Sequence, residues 1–246
     1  HLRDRQAEVE TARRLMVVAI AGAARRLRPE ADAAELCGES VAELASRAIG
    51  AGDSDAAVGL VEATLIVAAG HGLNASTFAG RVAASTRADL YACVVASLAA
   101  FSGPRHGLHS ERVRSLVRSV DAPDEAAAAV EGRLRRDESL PGFGHPLYET
   151  GDPRFDLLWE RAREAAPDSP RLEVLDAICR AASQVGLPAP NLDVGVTAVA
   201  EALELPEGGG PFLFGCGRMA GWIAHALEQR RRDHLLRPRS DYVEEP

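Results

Sequence analysis

The chain has 246 residues, 46% hydrophobic and 26% charged, enough to bury a sizeable core in one large domain or two interleaved ones, which argues against disorder. Its 28 basic residues are all arginine and face 36 acidic ones, and the formal net charge of −8 argues against general nucleic-acid binding, which needs a basic field to displace counterions from phosphates. Cys37, Cys93, Cys179 and Cys216 lie far apart without a CxxC pair, so neither a disulfide framework nor a cysteine zinc site is expected, and a reducing, cytoplasmic location fits best.

Helical periodicity dominates from the start. Val9, Ala12, Leu15, Met16, Ala19, Ala23 and Leu27 fall on one stripe between charged flanks. The apolar stretch Leu15 to Ala24 is too short for a membrane span and runs into Arg25-Arg26 rather than a cleavage site. The sequence opens on His1 rather than Met, which leaves room for an upstream segment. A second helix is predicted from Asp55 to Ala69, stopping at Gly70, and a third, rich in alanine, from Asn74 to Phe101, ending at Ser102-Gly103-Pro104. Further helices are predicted over Ser110 to Val120, Asp124 to Arg136, Pro153 to Ala165, Arg171 to Val185, Asn191 to Leu203 and Phe212 to Arg231. Glycine and proline mark loops at Asp137 to Asp152, Gly186 to Pro190 and Leu205 to Pro211, and strand signals are almost absent.

The chemistry concentrates in the loops. Leu140-Pro141-Gly142-Phe143-Gly144-His145-Pro146-Leu147-Tyr148, followed by Gly151-Asp152-Pro153-Arg154, puts a histidine and an arginine near a helix start, with glycines that let backbone approach a ligand. Taken alone, Asp152 as an N-cap, Pro153 at the first helical position and a solvated Arg154 would account for the segment. Two more glycine-flanked histidines sit at loop–helix junctions, His106 in Gly103-Pro104-Arg105-His106-Gly107 and His71 in Gly70-His71-Gly72-Leu73-Asn74-Ala75-Ser76-Thr77. Pro190-Asn191-Leu192-Asp193 adds a carboxylate in the first turn of a helix whose apolar stripe is Leu192, Val196, Val199 and Leu203; a dipole-favoured N-terminal acid is the plain reading of Asp193 by itself.

These segments, in this order and followed by Arg218-Met219-Ala220-Gly221-Trp222-Ile223-Ala224-His225 and Arg237-Pro238-Arg239, resemble the citrate synthase family, with the match running from His71 to Arg239. The resemblance implies an all-α fold with a large helical domain, 1–110 plus 214–246, and a small helical domain, 111–213, that closes over the active site. It implies that His106 hydrogen-bonds an acyl thioester carbonyl, that Asp193 removes the adjacent carbon-bound proton, and that His145 donates to the ketone oxygen of the second substrate. His71, Arg154 and Arg218 match positions that hold a dicarboxylate, for which the planar guanidinium fork is suited. Arg237 matches an arginine reaching into the neighbouring subunit's site, so a homodimer is expected. Leu140, Gly142 and Gly144 match a loop that meets CoA.

The implied activity is that of an acyltransferase condensing acetyl-CoA or propionyl-CoA with oxaloacetate through an enol, with no metal or tightly bound cofactor and CoA entering only as the thioester co-substrate. A citryl-CoA lyase using the same site in reverse, and a non-catalytic domain sensing a dicarboxylate or an acyl-CoA, are the alternatives. The chain departs from the family at Gly70 and Gly72, where acidic residues often flank the histidine, and at Glu149, where a basic residue is common. It also departs at Leu108-His109-Ser110, where Gly-Ala-Asn usually follows His-Gly and where the change adds bulk near the expected acyl-CoA.

Overall fold

The computed structural model describes residues 2–30, 38 and 40–239; Cys37 lies outside them. Among these residues the chain forms α1 (Leu2–Leu27), α2 (Val41–Ile49), α3 (Asp55–Ala69), α4 (Ala75–Ser85), α5 (Leu90–Phe101), α6 (His109–Arg118), α7 (Ala126–Arg135), α8 (Pro153–Ala165), α9 (Pro170–Gln184), α10 (Leu192–Ala202) and α11 (Gly209–Arg232), with one 3-10 turn at Pro123–Glu125. The fold is all-α, and the sole extended pairing among the described residues is an isolated bridge between Phe143 and Pro190. No helix among the described residues is long and apolar enough to cross a membrane.

Three expectations are corrected. The helix predicted from Asn74 to Phe101 is two helices: Arg87 turns the chain with a φ of 64°, and Asp89 starts α5 by accepting the Ala92 N–H at 2.8 Å. A helix absent from the prediction, α2, is nucleated by a capping box, Ser40 with Glu43, and stopped by Gly50 at a φ of 75°. On α1 the predicted stripe packs on the core through Ala12, Leu15, Met16, Ala19 and Leu27, but the line turned toward α2 and α11 also takes in the fully buried Ile20 and Ala24, and Val9 is left 44% exposed.

Helices α1–α5 and α11 pack on one another, and α6–α10 form a second group, the two meeting where α3 touches α8 and α10 and where α11 touches α6 and α10. Small residues permit the closest of these contacts. A side chain at Gly217 would meet Leu65 O at 2.6 Å and Ala68 Cβ at 2.7 Å, so α11 can lie directly on the end of α3, where the site forms. Helix α10 was predicted with a single apolar stripe, yet it is buried on nearly all sides, because Gly195, Ala198 and Ala200 let neighbours crowd the remaining faces.

One polar interaction lies inside the second group. Arg114 on α6, 2% exposed, donates through Nε to Glu201 Oε1 at 2.6 Å and through Nη1 to Pro206 O at 2.8 Å. The pair ties α6 to the end of α10 and caps carbonyls that the helix turn leaves open. Replacing Arg114 with alanine is expected to cost about 3 kcal/mol by leaving the buried Glu201 with only the half-exposed Arg118, whose Nε lies 3.3 Å from the same oxygen. Denaturant unfolding measures this, and a loss below 1 kcal/mol would show the pair to be dispensable.

Candidate active site

A cavity of about 410 Å³ opens between the two helix groups. Its wall includes His71, His106, His145, Arg154 and Asp193, residues that come from five separate stretches of sequence. Leu140, Gly142 and Gly144 line it as well.

Backbone pairing brings the catalytic candidates together. Gly144 N–H donates to Ala189 O at 2.8 Å, Asn191 N–H to Gly142 O at 2.8 Å, and Asn191 Nδ2 to Gly144 O at 2.9 Å. The loop carrying His145 is thereby laced to the turn that opens α10, where Asn191 Oδ1 caps the Asp193 N–H at 2.9 Å. Gly142 has a φ of 87°, and a Cβ there would lie 2.6 Å from Val194 and 2.7 Å from Val113, so only glycine fits between α6 and α10.

Asp152 proves to be more than a helix cap. It is 2% exposed and accepts from Arg154 Nε at 2.8 Å, Arg154 Nη2 at 2.7 Å, Arg154 N at 3.1 Å and Leu192 N at 3.1 Å. Burial pushes its carboxyl up, but the hydrogen bonds and charge of Arg154 outweigh burial and hold it below the ordinary carboxylate range. Arg154 is therefore neither solvated nor free to swing: its Nη1 faces the His71 ring at 3.3 Å, and Tyr148 stacks on it with its ring centre 4.9 Å away.

All three histidines are held neutral. Burial, then Arg154 and Arg218, lowers His71 to about 3. Burial and then Arg218 lowers His106, and burial and then Arg154 lowers His145. His145 Nδ1 accepts the Leu147 N–H at 3.1 Å, so its proton resides on Nε2, a donor. His106 Nε2 lies 2.8 Å from Ser76 Oγ, which also takes the Trp222 Nε1–H at 3.0 Å. An indole N–H can only donate, so the serine keeps its hydrogen for either His106 or Asn74 Oδ1, the latter at 3.1 Å.

Asp193 is the opposite case. Its Oδ1 is buried without a hydrogen-bond partner. Burial lifts its pKa from 3.8 to about 7, with Arg154 opposing and Asp152 reinforcing the rise. The carboxyl can gain or lose a proton near neutrality beside two neutral imidazole donors, which is equipment for general acid–base chemistry.

Two predicted residues do not line this cavity. Arg218 is fully buried behind it, donating to Ala68 O at 3.2 Å, to Ala69 O and to Thr77 Oγ1 at 2.7 Å; burial, with Arg154, lowers its pKa to about 10. Arg237 is exposed beyond α11 and makes no ion pair among the described residues. Ser76 and Trp222 lie inside quoted motifs, but nothing in their spacing showed that α11 would hand an indole N–H to the hydroxyl behind His106.

Comparison with known proteins places the chain among enzymes that share this fold. The family model "Citrate synthase, C-terminal domain" matches residues 2–239, and the chain belongs to the citrate synthase family. It is 40% identical over 190 residues to a putative citrate synthase 2 of Mycobacterium tuberculosis, covering 74% of this chain and 50% of that protein. To a 2-methylcitrate synthase of Shewanella oneidensis it is 34% identical over 188 residues, covering 75% and 50%. The chain thus spans about half the length of these curated relatives. The structure of Thermoplasma acidophilum citrate synthase in a ternary complex with carboxymethyl coenzyme A and oxaloacetate matches 99% of this chain and 67% of that one, with a TM-score of 0.84 at 26% identity.

The unusual acid carries a stability signature. An unfolded Asp193 ionises near 3.8 and the folded one only near 7, so the folded state holds an extra proton between these values. The stabilising contribution of the protonated form is full below pH ~4 and is lost as pH rises to about 7. The unfolding free energy of the wild type should fall relative to that of Asp193→Asn across this window and run parallel above it. Parallel curves throughout would mean an ordinary carboxylate.

Proposed function

We propose that the protein condenses an acyl-CoA, with acetyl-CoA and propionyl-CoA the first donors to test, with oxaloacetate. The observation that carries this reading is the dry, protonatable carboxyl of Asp193 sharing one cavity with two neutral imidazoles that each have a donor N–H. In this scheme Asp193 takes the proton from the carbon next to the thioester carbonyl. The C–H electron pair forms the C=C bond as the carbonyl π pair moves onto oxygen, and, with the Ser76 hydroxyl turned to its Nε2, His106 bonds that oxygen through Nδ1–H to give the hydrogen-bonded enol. The enol carbon attacks the ketone carbon of oxaloacetate while His145 Nε2–H donates to the oxygen becoming an alkoxide. Water then hydrolyses the thioester and frees CoA.

His71 and Arg154 are assigned to the dicarboxylate, Arg154 through the guanidinium edge not committed to Asp152. Arg218 joins this set by resemblance; from its place behind His71 it reaches substrate only if the wall shifts when residues 111–213 close over the cavity. Leu140, Gly142 and Gly144 are assigned to the CoA thioester, which serves as co-substrate with no other cofactor proposed. A homodimer is part of the proposal, with Arg237 completing the partner's site. Supporting it, α5 leaves Tyr91, Val95 and Leu98 exposed along one side, and α4, packed against α5, leaves Phe78 exposed.

The test follows thiol release from acetyl-CoA or propionyl-CoA mixed with oxaloacetate. Asp193→Asn is expected to lower turnover by about 10²–10⁴-fold. The wild-type rate should climb with pH up to about 7, where Asp193 becomes ionised, and then level off. No release despite saturable oxaloacetate binding would favour reverse cleavage of a citryl thioester or ligand sensing.

A further inference from the structure

One stretch of the cavity wall has no part in the scheme above. The loop after α5 and the first turns of α6 carry Arg105, His109 and Arg112, all three lining the cavity. None has a side-chain hydrogen bond or ion pair among the described residues, in contrast to Arg154, whose charge is matched by Asp152. Glu111, the acid between His109 and Arg112, turns the other way: its Oε1 is buried, and a Cβ added at Gly210 would lie 3.7 Å from it. The sole carboxylate lining the cavity among the described residues is Asp193, whose burial lets it hold a proton up to about pH 7. This wall therefore presents two guanidinium groups and an imidazole with no counter-charge.

Its position relative to the reacting atoms narrows what it can bind. His109 N–H donates to His106 O at 3.2 Å, so the two histidines share one turn of chain. If His106 holds the thioester carbonyl, an acyl chain only a few carbons long reaches His109. The CoA phosphates lie at the far end of the pantetheine arm, away from that carbonyl. Burial and then Arg112 lower the His109 pKa, which makes the ring a neutral N–H donor. A short alkyl acyl group would press against this donor without pairing it, whereas a carboxylate at the end of the chain would meet His109 and the arginine one turn on.

We propose that Arg105, His109 and Arg112 recognise a second anionic group on the thioester substrate, so that the preferred donor is a dicarboxylic acyl-CoA rather than a plain acetyl or propionyl ester. The inference rests on the acyl-CoA reading and refines its donor.

The experiment compares succinyl-CoA with butyryl-CoA, and glutaryl-CoA with pentanoyl-CoA, by thiol release with oxaloacetate and by calorimetric binding to the full chain. The dicarboxylic ester of each pair should be favoured by roughly tenfold or more in kcat/KM and in Kd. His109→Ala and Arg112→Gln should each bring that ratio to within about twofold; Arg112 is exposed, so the conservative variant is expected to fold. The same pairs as pantetheine thioesters, which lack the phosphates next to the adenosine, identify the source of the anion: the preference should persist. Variants that weaken every CoA ester alike, with no effect on the pantetheine series, would overturn the proposal in favour of phosphate contacts, and equal treatment of the paired esters would overturn it outright. A binding preference without Asp193-dependent turnover would keep the recognition wall and sink the condensation. Turnover of acetyl-CoA or propionyl-CoA alone would do the reverse.

Discussion

Asp152 accepts hydrogen bonds from one edge of an arginine, its Nε and Nη2, and from the backbone of two helix starts, in a place that water barely reaches. That single carboxylate sets where Arg154 lies, and Arg154 in turn abuts His71 and Tyr148. Its bond to the Leu192 N–H anchors the first turn of α10, so the arginine and Asp193 are held in fixed relation by one buried group. Removing such a partner would leave Arg154 charged and unmatched beside two histidines, a cost far above that of a surface ion pair.

The electrostatics of the cavity follow from this arrangement. A guanidinium that is already paired can hold the nearby imidazoles neutral without dragging Asp193 down to an ordinary carboxylate pKa. Asp152 adds its own negative charge, which raises Asp193 further, and burial supplies the largest share. The outcome is a carboxyl poised near neutrality among donors that do not carry charge, the condition under which a base can take a carbon-bound proton and the resulting oxyanion can be met by hydrogen bonds. Arg218, buried behind His71 and His106, works in the same direction by lowering both rings.

Much of this was legible in the sequence, and the remainder failed for identifiable reasons. The order of glycine-flanked histidines, the Asp152-Pro153-Arg154 start and Asp193 after Asn191 located the cavity wall, because each sits at a helix terminus whose punctuation is strong. Helix α2 carries an equally readable signature, since Ser40 and Glu43 form a capping box ahead of Gly50. The break at Arg87 was harder: alanine-rich flanks on both sides carry a helical period straight across it, and a left-handed arginine has no signature in composition. The burial of Arg218, the bond from Trp222 to Ser76 and the turning away of Glu111 depend on how distant helices dock, which local periodicity does not encode.

The most direct measurement is the titration of Asp193 itself, by carboxyl carbon-13 NMR of the full chain from pH 3 to 9, with Asp152 as the internal contrast. The structure predicts a midpoint near 7 for Asp193 and one below the ordinary carboxylate range for Asp152. An Asp193 midpoint close to 3.8 would contradict the dry, poised carboxyl on which the acid–base reading stands.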